Sequence, residues 1–107
     1  MPQIDRLLSH VIARGGIRLH LQADRKPSLE LQGGGTVDIL PNALPAVMVD
    51  VLAGEVVPED QKSAWQTEGK AEFEHRLEGQ VFVIRLSRDA AGPRLIAEWQ
   101  GAARPQA

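Results

Sequence analysis

The chain contains no cysteine, which removes zinc–thiolate centres, disulfide scaffolds and thiol nucleophiles at once. It has no apolar run of the length needed to span a bilayer. Its opening, MPQIDRLLSHVIARGG, is interrupted by Asp5 and Arg6 and so lacks the continuous hydrophobic region of a signal peptide. Basic charge is not in excess either: 12 Lys and Arg stand against 14 Asp and Glu, for a net charge of −2. Nothing sequence-wide therefore draws the chain to nucleic acid or to anionic lipid. Aromatic residues make up only 4% of the chain, which argues against an apolar small-molecule cavity. What is present is ordinary for a globular protein: 107 residues, 43% hydrophobic and 24% charged. That suffices for one hydrophobic core and leaves no room for a second domain. The expectation is a cytoplasmic protein with no nucleic-acid partner and no membrane insertion.

Periodicity divides the chain into elements. Ile4, Leu7, Leu8, Val11 and Ile12 form the stripe of an amphipathic helix, stopped by Gly15 and Gly16. IRLHLQA then alternates, with Ile17, Leu19 and Leu21 on one face and Arg18, His20 and Gln22 on the other. Leu29 and Leu31, then Val37 and Ile39 after the glycine run at 33–35, extend this to a three-stranded meander. Asn42 is read as the N-cap of a second helix whose buried stripe is Leu44, Val47, Met48, Val51 and Leu52, ended by Gly54. Pro58 opens a third helix, PEDQKSAWQTE, with acids in its first turn and Trp65 as its anchor. KAEFEHRL, QVFVIRLS and PRLIAEW give a second meander. The order α-βββ-αα-βββ predicts an α+β domain over residues 1–100, two three-stranded antiparallel meanders in one sheet with helices on one face. Residues 101–107, GAARPQA, are expected to form a flexible tail.

No catalytic constellation emerges. His10, His20 and His75 match no compact ligand spacing. His10 reads as solvated, His75 beside Phe73 as a partly buried, hydrogen-bonded ring, and His20 as part of a contact face with Arg18 and Gln22. Ser9, Ser28, Ser63 and Ser87 lie in no GxSxG turn. Glu72 and Glu74 share a strand face at carboxylate-pair spacing, without the cleft that glycoside hydrolysis needs. Gly33–Gly35 are not followed by Lys-Ser/Thr, so they are a turn and not a phosphate loop. Arg76, Arg85, Arg88 and Arg94 are offset by Glu72, Glu74, Glu78 and Asp89 in a mixed-charge surface. The expected catalytic, cofactor-binding and metal-ligating sets are all empty.

Order and spacing carry one resemblance. Gly15-Gly16-Ile17-Arg18-Leu19-His20-Leu21 with Pro27, then Glu59-Asp60-Gln61, Trp65 and Gly69-Lys70-Ala71-Glu72-Phe73, resemble the N-terminal PAS-like domain of PilT-like hexameric ATPases of type IV pilus retraction and type II secretion. In that family the matching segments read GASDLHL, PEQ and G-x-A-D-F. The likeness runs from residue 4 to about 99. It departs where the family has RFRVN: Val81, Phe82, Val83, Ile84 and Arg85 stand here, so both arginines that lie near the nucleotide in such ATPases are valines. A Walker A loop, metal-binding acids and histidine boxes are absent from the chain, and phosphoryl transfer depends on such a phosphate cradle.

The resemblance implies a non-catalytic regulatory module, an adaptor for a pilus or secretion motor ATPase, since the family's N-terminal domain packs on the neighbouring subunit. Its initiating Met and the lack of a family-like linker after Trp99 are read as marks of a complete small protein. The contact residues expected are Arg18, His20, Gln22, Glu72, Glu74 and Arg76. The expected partner is a protein, a hexameric motor ATPase being the leading candidate, and a homodimer stays open. Two alternatives are a PAS-like domain sensing a small ligand such as a nucleotide, and a small acidic secretion chaperone.

Overall fold

The computed structural model describes residues 4–39, 42–77, 79–90 and 92–102. Helix α1 (Ile4–Arg14) buries Ile4, Leu7, Leu8 and Val11, the i, i+3, i+4, i+7 face its sequence sets out. Asp5 in its first turn and Arg14 in its last complement the helix dipole. Gly15, at φ +67°, closes the helix in a conformation that costs glycine little. The strands β1 (Gly16–Gln22), β2 (Ser28–Leu31) and β3 (Thr36–Asp38) follow, then helices α2 (Ala46–Val56) and α3 (Glu59–Glu68), then β4 (Lys70–Leu77), β5 (Gln80–Asp89) and β6 (Gly92–Ala102). The element order is the one read from the sequence.

All six strands form one antiparallel sheet in the order β3-β2-β1-β6-β5-β4. Each meander is local, and the seam between them pairs β1 with β6: Arg18 opposite Glu98, His20 opposite Ile96, Gln22 opposite Arg94. The fold is thus the expected PAS-like α+β sheet. Its core lies between one sheet face and the three helices. Ile4, Leu8, Val11, Leu19, Leu21, Leu29, Val49, Phe82, Ile84 and Leu95 are fully buried there. Each large apolar side chain so buried contributes about 1.5–3 kcal/mol relative to exposure. Trp65 is buried as the anchor of α3, and that helix ends at Gly69 in the left-handed region. Among the described residues, no helix is long and apolar enough to cross a membrane.

Five expectations are corrected. Ile17 shares the parity of Leu19 and Leu21 but is exposed, because the β1–β2 register shifts between Gly16 and Arg18; the extra residue of a bulge breaks the alternation. In α2 the buried residues are Val49, Leu52, Ala53 and Val56, while Val47, Met48 and Val51 face outward. Leu44 precedes that helix, is half-buried, and bridges to Arg25. The N-cap is Pro45 rather than Asn42, with no side-chain cap, and the helix runs through Gly54 to Val56. Finally, β6 continues to Ala102, where it pairs with Gln80; the remainder of the expected tail, 103–107, lies outside the described residues.

Candidate functional site

Helices cover one face of the sheet, and among the described residues no element covers the other. Residues paired across antiparallel strands point to the same side, and the registers therefore draw this face row by row. One row runs Thr36, Glu30, Arg18, Glu98, Val83, Glu74, and the next Asp38, Ser28, His20, Ile96, Arg85, Glu72. A third joins Gln22, Arg94, Ser87 and Lys70, and Arg76 lies opposite Val81. The six residues expected to form a contact surface, Arg18, His20, Gln22, Glu72, Glu74 and Arg76, are thus on one face. They fall into two groups, on β1 and on the edge strand β4, separated by β6 and β5.

Arg18 is the hub of this face. Its Nη1 donates to Glu30 Oε2 at 2.9 Å, and its Nη2 and Nε donate to Glu98 Oε2 at 2.8 and 3.2 Å. His20 Nε2 lies 3.0 Å from Glu30 Oε1; a carboxylate only accepts, so that ring nitrogen carries the proton of the bond. Gln100 Nε2 donates to Glu98 Oε1 at 2.8 Å. These bonds shift the charges. Hydrogen bonding from Arg18, then from Gln100, holds the Glu98 carboxyl below the usual glutamate range. The Arg18 guanidinium is raised in turn, chiefly by its hydrogen bond to Glu98 and next by the charge of Glu30. The guanidinium is therefore permanently charged and held by two carboxylates on neighbouring strands. On the far side of the face, Arg85 Nε donates to Glu72 Oε2 at 2.6 Å.

Between these ionic groups sit two apolar residues that the sequence reading did not select. Val83, between Glu98 and Glu74, and Ile96, between His20 and Arg85, are half-buried, and among the described residues no helix lies above them. The signal for Val83 was the run Val81–Ile84, apolar on both faces of one strand where a one-sided sheet needs only one. Both interrupt the ionic rows with apolar surface.

Two other polar clusters belong to the scaffold. His75 Nε2 donates to Asp5 Oδ1 at 2.8 Å, tying β4 to the first turn of α1. His75 is the partly buried, bonded ring expected; its partner Asp5, the buried charge of the core, sits 70 residues away and was not foreseen. Arg88 stacks over Trp65 at 4.3 Å from the ring centroid and donates to Asp50 at 2.9 Å, linking α3, β5 and α2. His10 is exposed. Among the described residues, no group of three His, Cys, Asp or Glu side chains is placed to hold a metal ion.

No protein-family model matches the chain, and no curated protein matches it in sequence. Solved structures match its fold. The pilus retraction motor PilT, solved with bound ADP, superposes with a TM-score of 0.81 at 19% identity, over 96% of this chain and 30% of that one. The ATPase DotB of Legionella pneumophila gives 0.74 at 14% identity, again over 96% and 30%. DotB of Yersinia pseudotuberculosis gives 0.68 at 8% identity, over 91% and 29%. The chain thus has the fold of the N-terminal portion of these ATPases and spans under a third of their length.

Proposed function

We propose that this chain is a non-catalytic interaction module that docks, through its open sheet face, on a motor ATPase of the pilus or secretion type. The observation that carries the reading is the face itself. Val83 and Ile96 lie at its centre, and Arg18, Glu30, Glu98, Arg85 and Glu72 are already fixed in ion pairs around them. Preordered charges select a partner and its register more than they add affinity, while desolvation of the apolar centre supplies the attraction. The likeness in fold to PilT and DotB supports a motor as that partner. The packed interlayer space, filled by Phe82, Ile84, Leu95 and the residues of α1, favours this surface over an interior ligand site.

Binding of the purified chain to purified PilT-type and DotB-type hexamers, measured by interferometry, tests the reading. The wild type is expected to bind, with Ile96→Arg and Arg18→Glu each reducing affinity at least about tenfold while circular dichroism stays unchanged. Absence of binding to both motors, or equal binding by the variants, overturns it.

A further inference from the structure

Helix α2 has two apolar faces and the molecule uses one. Val49, Leu52, Ala53 and Val56 enter the core, whereas Val47, Met48 and Val51 are 68%, 37% and 44% exposed. At 100° per residue, Val47, Val51 and Gly54 (i, i+4, i+7) form the outermost line of the helix, with Met48 and Glu55 beside it. Gly54 makes a dent in that line: a Cβ added there would meet nothing within 4 Å. Glycine is a costly choice inside a helix, about 1 kcal/mol worse than alanine, and no φ there and no neighbour among the described residues demands it. The same face therefore carries a ridge, Val47 and Val51, and a hollow, Gly54, seven residues from Val47.

Its charges are arranged in the same head-to-tail way. The N-terminus of α2 has Pro45 as its cap with no side-chain hydrogen bond, and there is no acid in the first turn. At the other end the exposed Glu55 is an acid near the C-terminus, where a helix dipole does not favour it. Both anomalies are relieved by one arrangement. When a second α2 lies antiparallel across the first, with Val51 near the twofold axis, each Val47 enters the partner's Gly54 hollow. Each Glu55 then lies over the partner's uncapped N-terminus. We infer that α2 is an isologous homodimer surface and that its occupant is a second copy of this chain. The sheet face lies on the opposite side of the sheet from the helices, so the dimer leaves it free and the two readings fail independently. An 11-residue helix is only about 16 Å long and supplies less area than a standard interface of ~800 Å² per partner, so the association is weak and concentration-dependent.

Sedimentation equilibrium from ~10 μM to ~1 mM, together with cross-linking, tests this. The average mass of the wild type should rise toward the dimer. Val51→Glu, which places two like charges at the axis, and Gly54→Gln, which fills the hollow with a better helix former, should each raise the dissociation constant at least about tenfold. Gly54→Gln should do so without lowering Tm, which separates a lost contact from a lost fold. Since the chain has no cysteine, Val51→Cys should give a disulfide-linked dimer under mild oxidation, while Ala13→Cys on the exposed side of α1 should not. A mass that stays monomeric throughout, or equal cross-linking at positions 13 and 51, overturns the inference. So does a monomeric wild type whose binding to a motor ATPase is abolished by Val51→Glu, which would make the occupant of α2 the motor.

Discussion

Replacing Gly16 by alanine tests how tightly β1 is seated on the core. A Cβ built on Gly16 would run into Leu29 Cδ1 and would lie 2.8 Å from its Cγ and 3.1 Å from its Cδ2. All three contacts fall below ordinary van der Waals separation. Leu29 is fully buried, so its isobutyl group has no free space to swing into, and the added methyl must displace core side chains. Overpacking of this kind costs about 1–3 kcal/mol, a fall of roughly 5–20 °C in Tm for a domain of this size. Leu29→Ala alone costs about 2–5 kcal/mol through the cavity it leaves. The double variant should be less destabilised than the sum of the two by at least ~1 kcal/mol, because the methyl at position 16 then enters the vacated space. The neighbouring glycine is the control. Gly15→Ala meets nothing within 4 Å but stands at φ +67°, so it should cost about 1–2 kcal/mol from backbone strain with no coupling to Leu29→Ala. Urea unfolding followed by tryptophan fluorescence supplies all the values. Additivity of Gly16→Ala with Leu29→Ala within ~0.5 kcal/mol would refute the steric account.

The Asp5–His75 bond predicts that Asp5→Ala, which leaves a half-buried ring donor unpaired, lowers stability by about 1–3 kcal/mol in denaturant unfolding, with Asp5→Asn restoring part of the loss. Trp65→Ala removes both the anchor of α3 and the platform under Arg88, and should cost about 3–5 kcal/mol, with loss of α3 protection in hydrogen exchange. The carboxyl of Glu98 is held below its unfolded value by Arg18 and Gln100. It therefore adds stability that is complete above the ordinary glutamate pKa of about 4.3 and is lost as pH falls from there through the depressed folded value. Acid unfolding of Glu98→Gln should show a shallower pH slope in that window than the wild type; identical slopes would contradict the assignment.

The two meanders, α1 and the side of β1 that carries Arg18 are legible because each rests on a local period, and α3 because Pro58, the acids of its first turn and Gly69 mark its ends. Helix α2 is not. The spacing of Leu44, Val47, Met48, Val51 and Leu52 is as good a helical stripe as that of Val49, Leu52, Ala53 and Val56. In a helix apolar on both sides, only packing against β1 and β6 decides which stripe turns inward. Ile17 was misplaced because a bulge is a property of two strands in register, and one strand read alone cannot show it. For the candidate site, strand alternation alone puts Arg18, His20 and Gln22 on one side of β1 and Glu72, Glu74 and Arg76 on one side of β4. The partners that define the site, Glu30 and Glu98 around Arg18 and Ile96 beside His20, become visible only once β1 is known to lie between β2 and β6.

That β1–β6 seam also sets how the chain must be made. Residues 16–22 cannot complete their hydrogen bonding until residues 92–102 arrive, so every element up to β5 must be synthesised before the sheet can be joined. Until then the first hairpin exposes an unsatisfied edge and the second lacks its neighbour, a condition that invites aggregation. Such non-local closure is slow and couples the two halves into one cooperative unit. Prematurely terminated translation should therefore yield an unfolded product and not a half-built domain.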